Sequence, residues 1–213
     1  MTSDTRPRGL LNFIHSLRSS HAQKRTKPVS LFGGDDQMFC NNLAGVANYA
    51  EYGSGESTIW VAENTNAAMT TVDTSQEWLD HVKQAIGADR SVQFNWIDCG
   101  ILGDWGVPKS FAKRENFLSY AQCIWKNDAH YDLILVDGRF RVLCFLVALK
   151  NAESGTKLIF DDYTDRRHYH VVEEFAPRIE TCGRQCLFMV PPKSDLDMDK
   201  LDHLIDKFEY IWS

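Results

Sequence analysis

Carboxylate side chains recur in this sequence at the points where short apolar runs end. Carboxylates accept hydrogen bonds from hydroxyl and amino groups, bind hard metal ions such as Mg²⁺, and take up protons from a nucleophile. Acids that follow several strands therefore predict a site for a polar ligand. The acids are Glu51, Asp73, Asp98, Asp137, Asp161 and Asp162.

The first of these acids opens a glycine-bearing segment, Glu-Tyr-Gly-Ser-Gly at 51–55. Glycines after a strand let the backbone turn tightly and approach a ligand, and the helix that follows offers free N–H groups to an anion. A dinucleotide fingerprint has a third glycine where Thr58 stands, which counts against a pyrophosphate ligand. Glu51 suits a ligand that carries an amine. Asp73, at the end of the next predicted strand, suits the two hydroxyls of a ribose.

A second cluster consists of Asp137, Asp161 and Asp162, at the ends of two neighbouring predicted strands. Three interpretations are open. The carboxylates can bind Mg²⁺ or Ca²⁺, and such a metal would bind a substrate hydroxyl and lower its pKa. Without a metal, one carboxylate can act as a general base. Alternatively, Asp161 or Asp162 caps the following helix.

Basic and aromatic residues flank this second cluster. Arginine guanidinium groups can hold an anionic substrate through paired hydrogen bonds, or they can neutralise the nearby acids. A long loop over 103–108 carries Trp105, which either covers a substrate or pins the loop to the core. The basic and aromatic residues are Arg139, Arg141, Arg166, Arg167, His168, Tyr169 and His170.

The elements that must position these residues are strands that alternate with helices. This alternation predicts right-handed βαβ units in an α/β fold, a doubly wound, mostly parallel sheet with helices on both faces. In such sheets the carboxyl ends of the strands share one edge, where ligands bind. Strands are predicted over 47–52, 68–72, 91–97, 131–136, 157–160 and 186–190, and helices over 57–64, 75–86, 116–126, 142–150, 166–175 and 201–208.

Four segments together resemble the class I S-adenosylmethionine-dependent methyltransferases, which have a Rossmann-like fold. The resemblance covers roughly residues 47–190. It implies transfer of a methyl group from S-adenosylmethionine to an oxygen or nitrogen atom of a small or medium-sized acceptor. The segments are Glu-Tyr-Gly-Ser-Gly (51–55), Gly-Asp-Trp-Gly (103–106), Val-Asp-Gly-Arg-Phe-Arg-Val (136–142) and Phe-Asp-Asp-Tyr (160–163).

The same resemblance implies a set of cofactor contacts along the first half of the sheet edge. Glu51 would meet the methionine amino group, and Asp73 would hold the ribose hydroxyls. The loop after the first strand would let the backbone approach the methionyl part, and an acid after the third strand would face the adenine amine. The loop residues are Gly53, Ser54 and Gly55, and the adenine-side residues are Asp98 with Cys99 beside it.

In the catechol-type O-methyltransferases, an acid after the fourth strand and an Asp-Asn pair after the fifth bind Mg²⁺. This sequence resembles them with Asp137 and the pair Asp161-Asp162, which implies a metal-assisted variant with Mg²⁺ on these acids. Asp137 and Asp162 are the candidates for activating the acceptor. The candidates for binding it are Arg139, Arg166 and Trp105. Two alternative functions are a non-catalytic module that binds S-adenosylmethionine and a nicotinamide-dependent oxidoreductase.

The composition fits one globular domain that acts on a small molecule. The 213 residues are 44% hydrophobic and carry a net charge of -6, and they contain no basic tract interleaved with aromatics, which disfavours nucleic acid as a partner. No apolar run approaches the roughly 20 residues that span a bilayer. Six cysteines without a CxxC pair favour reduced thiols and a cytoplasmic location. The oligomeric state is left open.

The charge is unevenly distributed along the chain. The first 28 residues carry six basic side chains against one acid, Asp4. We predict a basic N-terminal extension with a helical segment over 1–45 and a methyltransferase-like domain over 46–213. The extension is a helix packed on the domain, a loose arm, or an organelle-targeting segment. Its apolar residues at helical spacing are Leu10, Leu11, Ile14 and Leu17.

Overall fold

The computed structural model describes residues 30–88, 90–126 and 128–212. The predicted helical segment of Leu10, Leu11, Ile14 and Leu17 lies outside the described residues. The described strands are β1 (Asn48–Tyr52), β2 (Ala68–Asp73), β3 (Val92–Trp96), β4 (Leu133–Val136), β5 (Lys157–Phe160), β6 (Glu180–Cys182) and β7 (Gln185–Met189). The described α-helices are α1 (Gln37–Asn42), α2 (Glu56–Asn64), α3 (Gln76–Ile86), α4 (Phe117–Gln122), α5 (Arg141–Asn151) and α6 (Met198–Phe208).

These strands form one sheet in the order β3-β2-β1-β4-β5-β7-β6. Neighbouring strands among β1 to β5 are parallel, whereas β7 runs antiparallel to both β5 and β6. The chain builds outward from β1 to β3 and then crosses back to add β4 on the other side of β1. The doubly wound, mostly parallel α/β fold is therefore confirmed, and the strand order reverses between β1 and β4.

Both faces of the sheet are covered, and the residues of its central strands β4 and β5 are almost all buried. All four residues of β4 are buried, as are the last three of β5. In α5 the stretch from Arg141 to Leu149 is buried without interruption, and the helix contacts β4, β5 and α6. A helix enclosed in this way holds the segment that follows β4 in one position.

The described part of the predicted extension packs against the sheet. The carboxylate of Asp36 accepts hydrogen bonds from the N–H groups of Leu31 and Phe32 at 3.0 and 2.9 Å, which fixes the turn before α1. Phe39 of α1 packs edge-on against Tyr49 of β1, with ring centroids 6.3 Å apart. α1 therefore covers one face of the sheet near β1.

Three elements differ from the sequence-based prediction. The residues expected to form an α-helix over 166–175 form a 3-10 helix at Arg167–Glu174, a stretch in which ring-bearing and β-branched side chains oppose α-helical packing. β6 is not predicted, and α1 is given no bounds within the predicted extension, because elements this short do not show a clear hydrophobic period. β7 follows a tight turn at Gly183, whose φ is 55°.

The six cysteines are free thiols, as the sequence predicts. Four of them, Cys99, Cys123, Cys144 and Cys186, are buried, and burial raises the pKa of each of these thiols. None of the helices within the described ranges has the length and apolar character that crossing a lipid bilayer requires.

Candidate functional site

The loops that follow β1 and β4 touch at the point where the strand order reverses. Gly53, directly after β1, has a φ of 93° and donates its N–H to the carbonyl of Val72 at 2.9 Å. A Cβ on Gly53 would lie 2.6 Å from the Cα of Gly138, so the two loops are in backbone contact. Gly53 is therefore required by the packing of two loops on each other, whereas the sequence assigned it to the approach of a ligand.

Gly55 has different surroundings from Gly53. Its backbone is extended, with a φ of 177°, and a Cβ built there meets no atom within 4 Å. Thr58 sets the shape of this loop, because its hydroxyl accepts the N–H of Gly55 at 2.8 Å and donates to Glu51. The space beside the Gly55 backbone is therefore open to a ligand.

Glu51 lies beneath this loop and has no exposed surface. Its carboxyl accepts hydrogen bonds from the hydroxyls of Tyr49 at 2.8 Å and Ser57 at 2.9 Å, and from Thr58. Burial raises the pKa of Glu51 to about 7, although these hydroxyls lower it by stabilising the charge. The predicted contact of Glu51 with a methionine amino group stays a prediction, because the carboxyl has no exposed surface in this structure. Glu51 holds the loop.

Asp73 ends β2 beside the same loop. Its Oδ2 accepts the N–H of Ser54 at 3.1 Å and its Oδ1 accepts the N–H of Ser75 at 2.9 Å. Each oxygen keeps a second lone pair, and the residue is partly exposed, so Asp73 can accept two further hydrogen bonds. Burial raises the pKa of Asp73, and the backbone donors oppose that shift. Ser54 is nearly buried and links the loop to α3, because its carbonyl accepts the indole N–H of Trp78 at 2.6 Å.

The two residues predicted on the adenine side lie after β3 and differ in exposure. The Asp98 side chain is 42% exposed, and its Oδ2 lies 3.7 Å from Lys113 Nζ. Its Oδ1 accepts the N–H of Gly100 at 2.9 Å. Cys99 is buried in the core, and burial raises the pKa of its thiol to about 12. The Cys99 side chain packs in the core, and its expected place beside a ligand stays a prediction.

Acids and arginines form a charge cluster at the ends of β4 and β5. At its centre is Arg141, 4% exposed, whose Nη2 lies 3.0 Å from Asp137 Oδ1 and whose Nη1 lies 3.1 Å from Asp162 Oδ2. The guanidinium also donates to the backbone carbonyls of Asp137, Gly138 and Asp161. Every N–H of Arg141 therefore has an acceptor.

Two further arginines complete this charge cluster. Arg184, in the turn between β6 and β7, lies with Nη2 2.8 Å from Asp161 Oδ2 and with Nε 3.0 Å from Asp161 Oδ1. Arg166 Nη2 lies 2.9 Å from Asp162 Oδ2. Burial, and then the charge of Asp137, raises the pKa of the fully buried Asp161, and the charge of Arg184 opposes that shift. The arginines at this end of the sheet therefore mostly neutralise acids.

The remaining candidates for acceptor binding have different positions. Arg166 is engaged by Asp162 and also donates to Tyr169 Oη at 2.9 Å. Arg139 is partly exposed and stands outside the charge cluster. Trp105 is 69% exposed with a φ of 59°. Gly106 links the same loop to the end of β2, because its carbonyl accepts the hydroxyl of Thr74 at 2.9 Å.

Comparison with known proteins decides the family. No family model and no curated protein matches the chain. A solved methyltransferase-like protein from Silicibacter pomeroyi superposes with a TM-score of 0.76 at 32% identity, over 86% of this chain and 98% of that chain. The chain belongs to the class I methyltransferase-like family. The resemblance seen in the sequence is thereby confirmed.

Two solved methyltransferases of lower identity share the fold of this methyltransferase-like chain. An O-methyltransferase from Bacillus cereus, in complex with S-adenosylhomocysteine, has a TM-score of 0.54 at 19% identity, over 85% of this chain and 88% of its own. The N-methyltransferase NodS from Bradyrhizobium japonicum, also in complex with S-adenosylhomocysteine, has a TM-score of 0.50 at 16% identity, over 74% and 85%. At these identities the likeness shows the fold.

The residues that follow β1, β2 and β3 offer the hydrogen-bond acceptors that S-adenosylmethionine requires. A ribose diol needs two acceptor positions on one carboxylate, and Asp73 retains them. The open space at Gly55 lies on the same loop that donates to Asp73. Asp98 presents a half-exposed carboxylate after the neighbouring strand, which suits an amine.

The acids expected to bind Mg²⁺ do not fit a divalent cation. Guanidinium groups already neutralise Asp137, Asp161 and Asp162, and Arg141 pairs with both Asp137 and Asp162. Within residues 30–88, 90–126 and 128–212, no group of three or more His, Cys, Asp or Glu side chains is placed to hold a metal ion. The expected metal site is therefore corrected to an arginine–carboxylate cluster.

Two residues at the carboxyl ends of the strands could not be predicted from the sequence. Tyr120 on α4 lies against Gly138, and its hydroxyl accepts the N–H of Arg139 at 3.4 Å. It carries no sequence signal, because it belongs to an apolar helix face. Arg184 could be found only through the turn signal of Gly183 between two apolar runs, and nothing in the sequence pairs it with Asp161.

Replacing Glu51 with glutamine is expected to flatten part of the pH dependence of stability. The raised pKa means that the folded chain binds this proton more tightly than the unfolded chain, whose ordinary value is 4.5. Glu51 therefore stabilises the fold below about pH 4.5, and this contribution is lost as the pH rises through about 7. The parent should lose about 3 kcal/mol more than Glu51→Gln between pH 4.5 and 8.

Urea unfolding at several pH values measures this difference. Glu63→Gln, at an exposed position on α2, is the matched control and should follow the parent profile. Parallel profiles for the parent and Glu51→Gln would contradict the assignment of a buried, protonated Glu51.

Proposed function

We propose that this protein transfers a methyl group from S-adenosylmethionine to an oxygen or nitrogen atom of a small or medium-sized acceptor, without a metal ion. Asp73 carries the proposal: a partly exposed carboxylate with two remaining acceptor positions, beside a glycine loop, where the strand order of a methyltransferase-like fold reverses. Ligands of doubly wound sheets bind at this reversal.

The residues after β1, β2 and β3 would hold the cofactor. Asp73 would accept the ribose hydroxyls, and Asp98 would accept the adenine amine. The backbone at Ser54 and Gly55 would line the methionyl part, since space at Gly55 is open. Glu51 would act indirectly, by holding Thr58 and through it the N–H of Gly55.

When bound, S-adenosylmethionine supplies a methyl group on a positively charged sulfur. The chain's part is to hold the acceptor atom in line with the sulfur–carbon bond and to exclude water. Asp137 is the proposed proton acceptor, because burial raises its pKa, its side chain is partly exposed and Arg141 fixes one of its oxygens. Asp162 is paired with three arginines. We therefore propose that Asp162 positions Arg166 and that it does not accept the proton.

Asp73→Asn is expected to weaken binding of S-adenosylhomocysteine by about 100-fold. Hydrogen bonds to charged groups contribute roughly 1.5–3 kcal/mol each, and asparagine offers one acceptor oxygen in place of two. Isothermal titration calorimetry measures the affinity, and NADH serves as the competing cofactor class in a parallel titration.

Asp104→Asn is the matched control, because Asp104 is exposed on the neighbouring loop. It should bind S-adenosylhomocysteine as the parent does. If the parent binds NADH and not S-adenosylhomocysteine, or if Asp73→Asn binds as tightly as the parent, the proposed function is wrong. A parent that binds the cofactor but methylates no acceptor in a broad screen would point to a non-catalytic binding module.

A further inference from the structure

We propose that the methyl acceptor carries an anionic group, a carboxylate or a phosphate, and that Arg139 binds this group. The inference rests on the proposed function and deepens it, because it names the class of acceptor. It depends on the pairing, the burial and the position of the arginines at the carboxyl ends of β4 and β5.

Arg139 differs from the neighbouring arginines in its ion pairs. Arg141, Arg166 and Arg184 each lie within 3.1 Å of a carboxylate oxygen. Within the part of the chain that the structure describes, the Arg139 guanidinium has neither an ion pair nor a hydrogen bond, and the one contact of this residue as a donor is its backbone N–H to Tyr120. These three arginines are therefore committed to the protein, whereas Arg139, which unlike the exposed Arg167 is partly buried, is left for a ligand.

Burial makes an unpaired guanidinium costly. Arg139 is partly buried, and this burial, followed by the charge of Arg141, lowers its pKa. A cation that has lost water without gaining a counter-charge destabilises the fold, and an incoming anion removes that cost. The planar guanidinium suits carboxylate and phosphate groups, which it binds through two parallel hydrogen bonds.

Position assigns Arg139 to the acceptor side of the edge. The proposed cofactor residues follow β1, β2 and β3, whereas Arg139 follows β4, the first strand after the reversal. Arg139 follows Asp137 by two residues in the same loop, and its backbone N–H donates to Tyr120 Oη at 3.4 Å, so this residue lies on the loop of the proposed proton acceptor. An acceptor anchored at Arg139 would have its nucleophile near Asp137.

Arg139→Gln tests the proposal through the binding of small anions. The parent is titrated with benzoate and with inorganic phosphate, each with and without saturating S-adenosylhomocysteine, and with neutral benzamide as the uncharged analogue of benzoate. We expect at least one anion to bind and benzamide not to bind. Arg139→Gln should weaken anion binding at least tenfold, and Arg139→Lys should retain part of it, because lysine keeps the charge without the planar fork.

Two controls keep the outcomes distinct. Arg167→Gln removes an exposed arginine two positions from Tyr169 and should bind anions as the parent does. Arg139→Gln should keep the parent's affinity for S-adenosylhomocysteine. A fall in that affinity would assign Arg139 to the cofactor carboxylate and overturn the proposal, as would a parent that binds neither anion.

Failure of the proposed function has a different signature. In that case the parent does not bind S-adenosylhomocysteine, whatever it does with anions. Benzoate binding without phosphate binding identifies a carboxylate acceptor, and the reverse identifies a phosphate acceptor.

Discussion

Gly138→Ala is expected to destabilise the protein by about 3 kcal/mol, at the upper end of the cost of overpacking. A Cβ at this position collides with the hydroxyl of Tyr120 and would lie 2.6 Å from the N of Gly53 and 2.8 Å from the carbonyl carbon of Tyr52. Two of these neighbours are backbone atoms of the loop after β1, so relief requires the loops after β1 and β4 to separate. Urea unfolding at 25 °C measures the loss.

The controls for this substitution use the same region. Gly55→Ala should change the free energy of unfolding by less than about 0.5 kcal/mol, because its backbone is extended and no atom lies within 4 Å of the new Cβ. Tyr120→Phe removes one of the colliding atoms, so the double variant with Gly138→Ala should recover part of the loss. A Gly138→Ala protein as stable as the parent would contradict the close contact of the two loops.

Arg141→Met is expected to cost about 3–5 kcal/mol of folding stability, the usual result of removing one partner from a buried ionic cluster. The guanidinium is 4% exposed and pairs with Asp137 and Asp162, and it also donates to three backbone carbonyls. Methionine fills much of the volume, but it leaves buried acceptors without a donor. The free energy of unfolding in urea is again the measurement.

Arg166→Met is the matched control within the same charge cluster. Its side chain is 38% exposed, so water replaces the lost ion pair with Asp162 and the expected cost is below about 1 kcal/mol. Equal losses for the two variants would show that Arg141 is not the central support of the cluster.

The fold could be predicted from the sequence where apolar runs are continuous and helices are amphipathic. The buried run of β4 and the alternation of strands with helices specify a parallel sheet without further information. The antiparallel direction of β7 could not be predicted, because an apolar run such as that at 186–190 does not encode the direction of its neighbour. The tight turn at Gly183 makes β7 antiparallel to β6.

For the candidate site, the sequence predicts only which strand ends carry the acids. Asp73 and Asp98 follow adjacent parallel strands, and parallel strands bring their carboxyl ends together. Partners contributed by distant segments could not be predicted. Arg184 neutralises Asp161 across the sheet, and three hydroxyls cover Glu51 beneath its loop, so an acid at a strand end is not by itself an acid available to a ligand.

The backbone contact between Gly53 and Gly138 has a consequence for how the chain matures on the ribosome. β1, β2 and β3 are synthesised first, but the loop after β1 reaches its final shape only when β4 has emerged and inserted beside β1. In a nascent chain that ends before β4, the loop after β1 therefore lacks the neighbouring loop on which it packs. Such long-range pairing slows folding, so the proposed cofactor loop would reach its final shape late in translation, together with closure of the sheet.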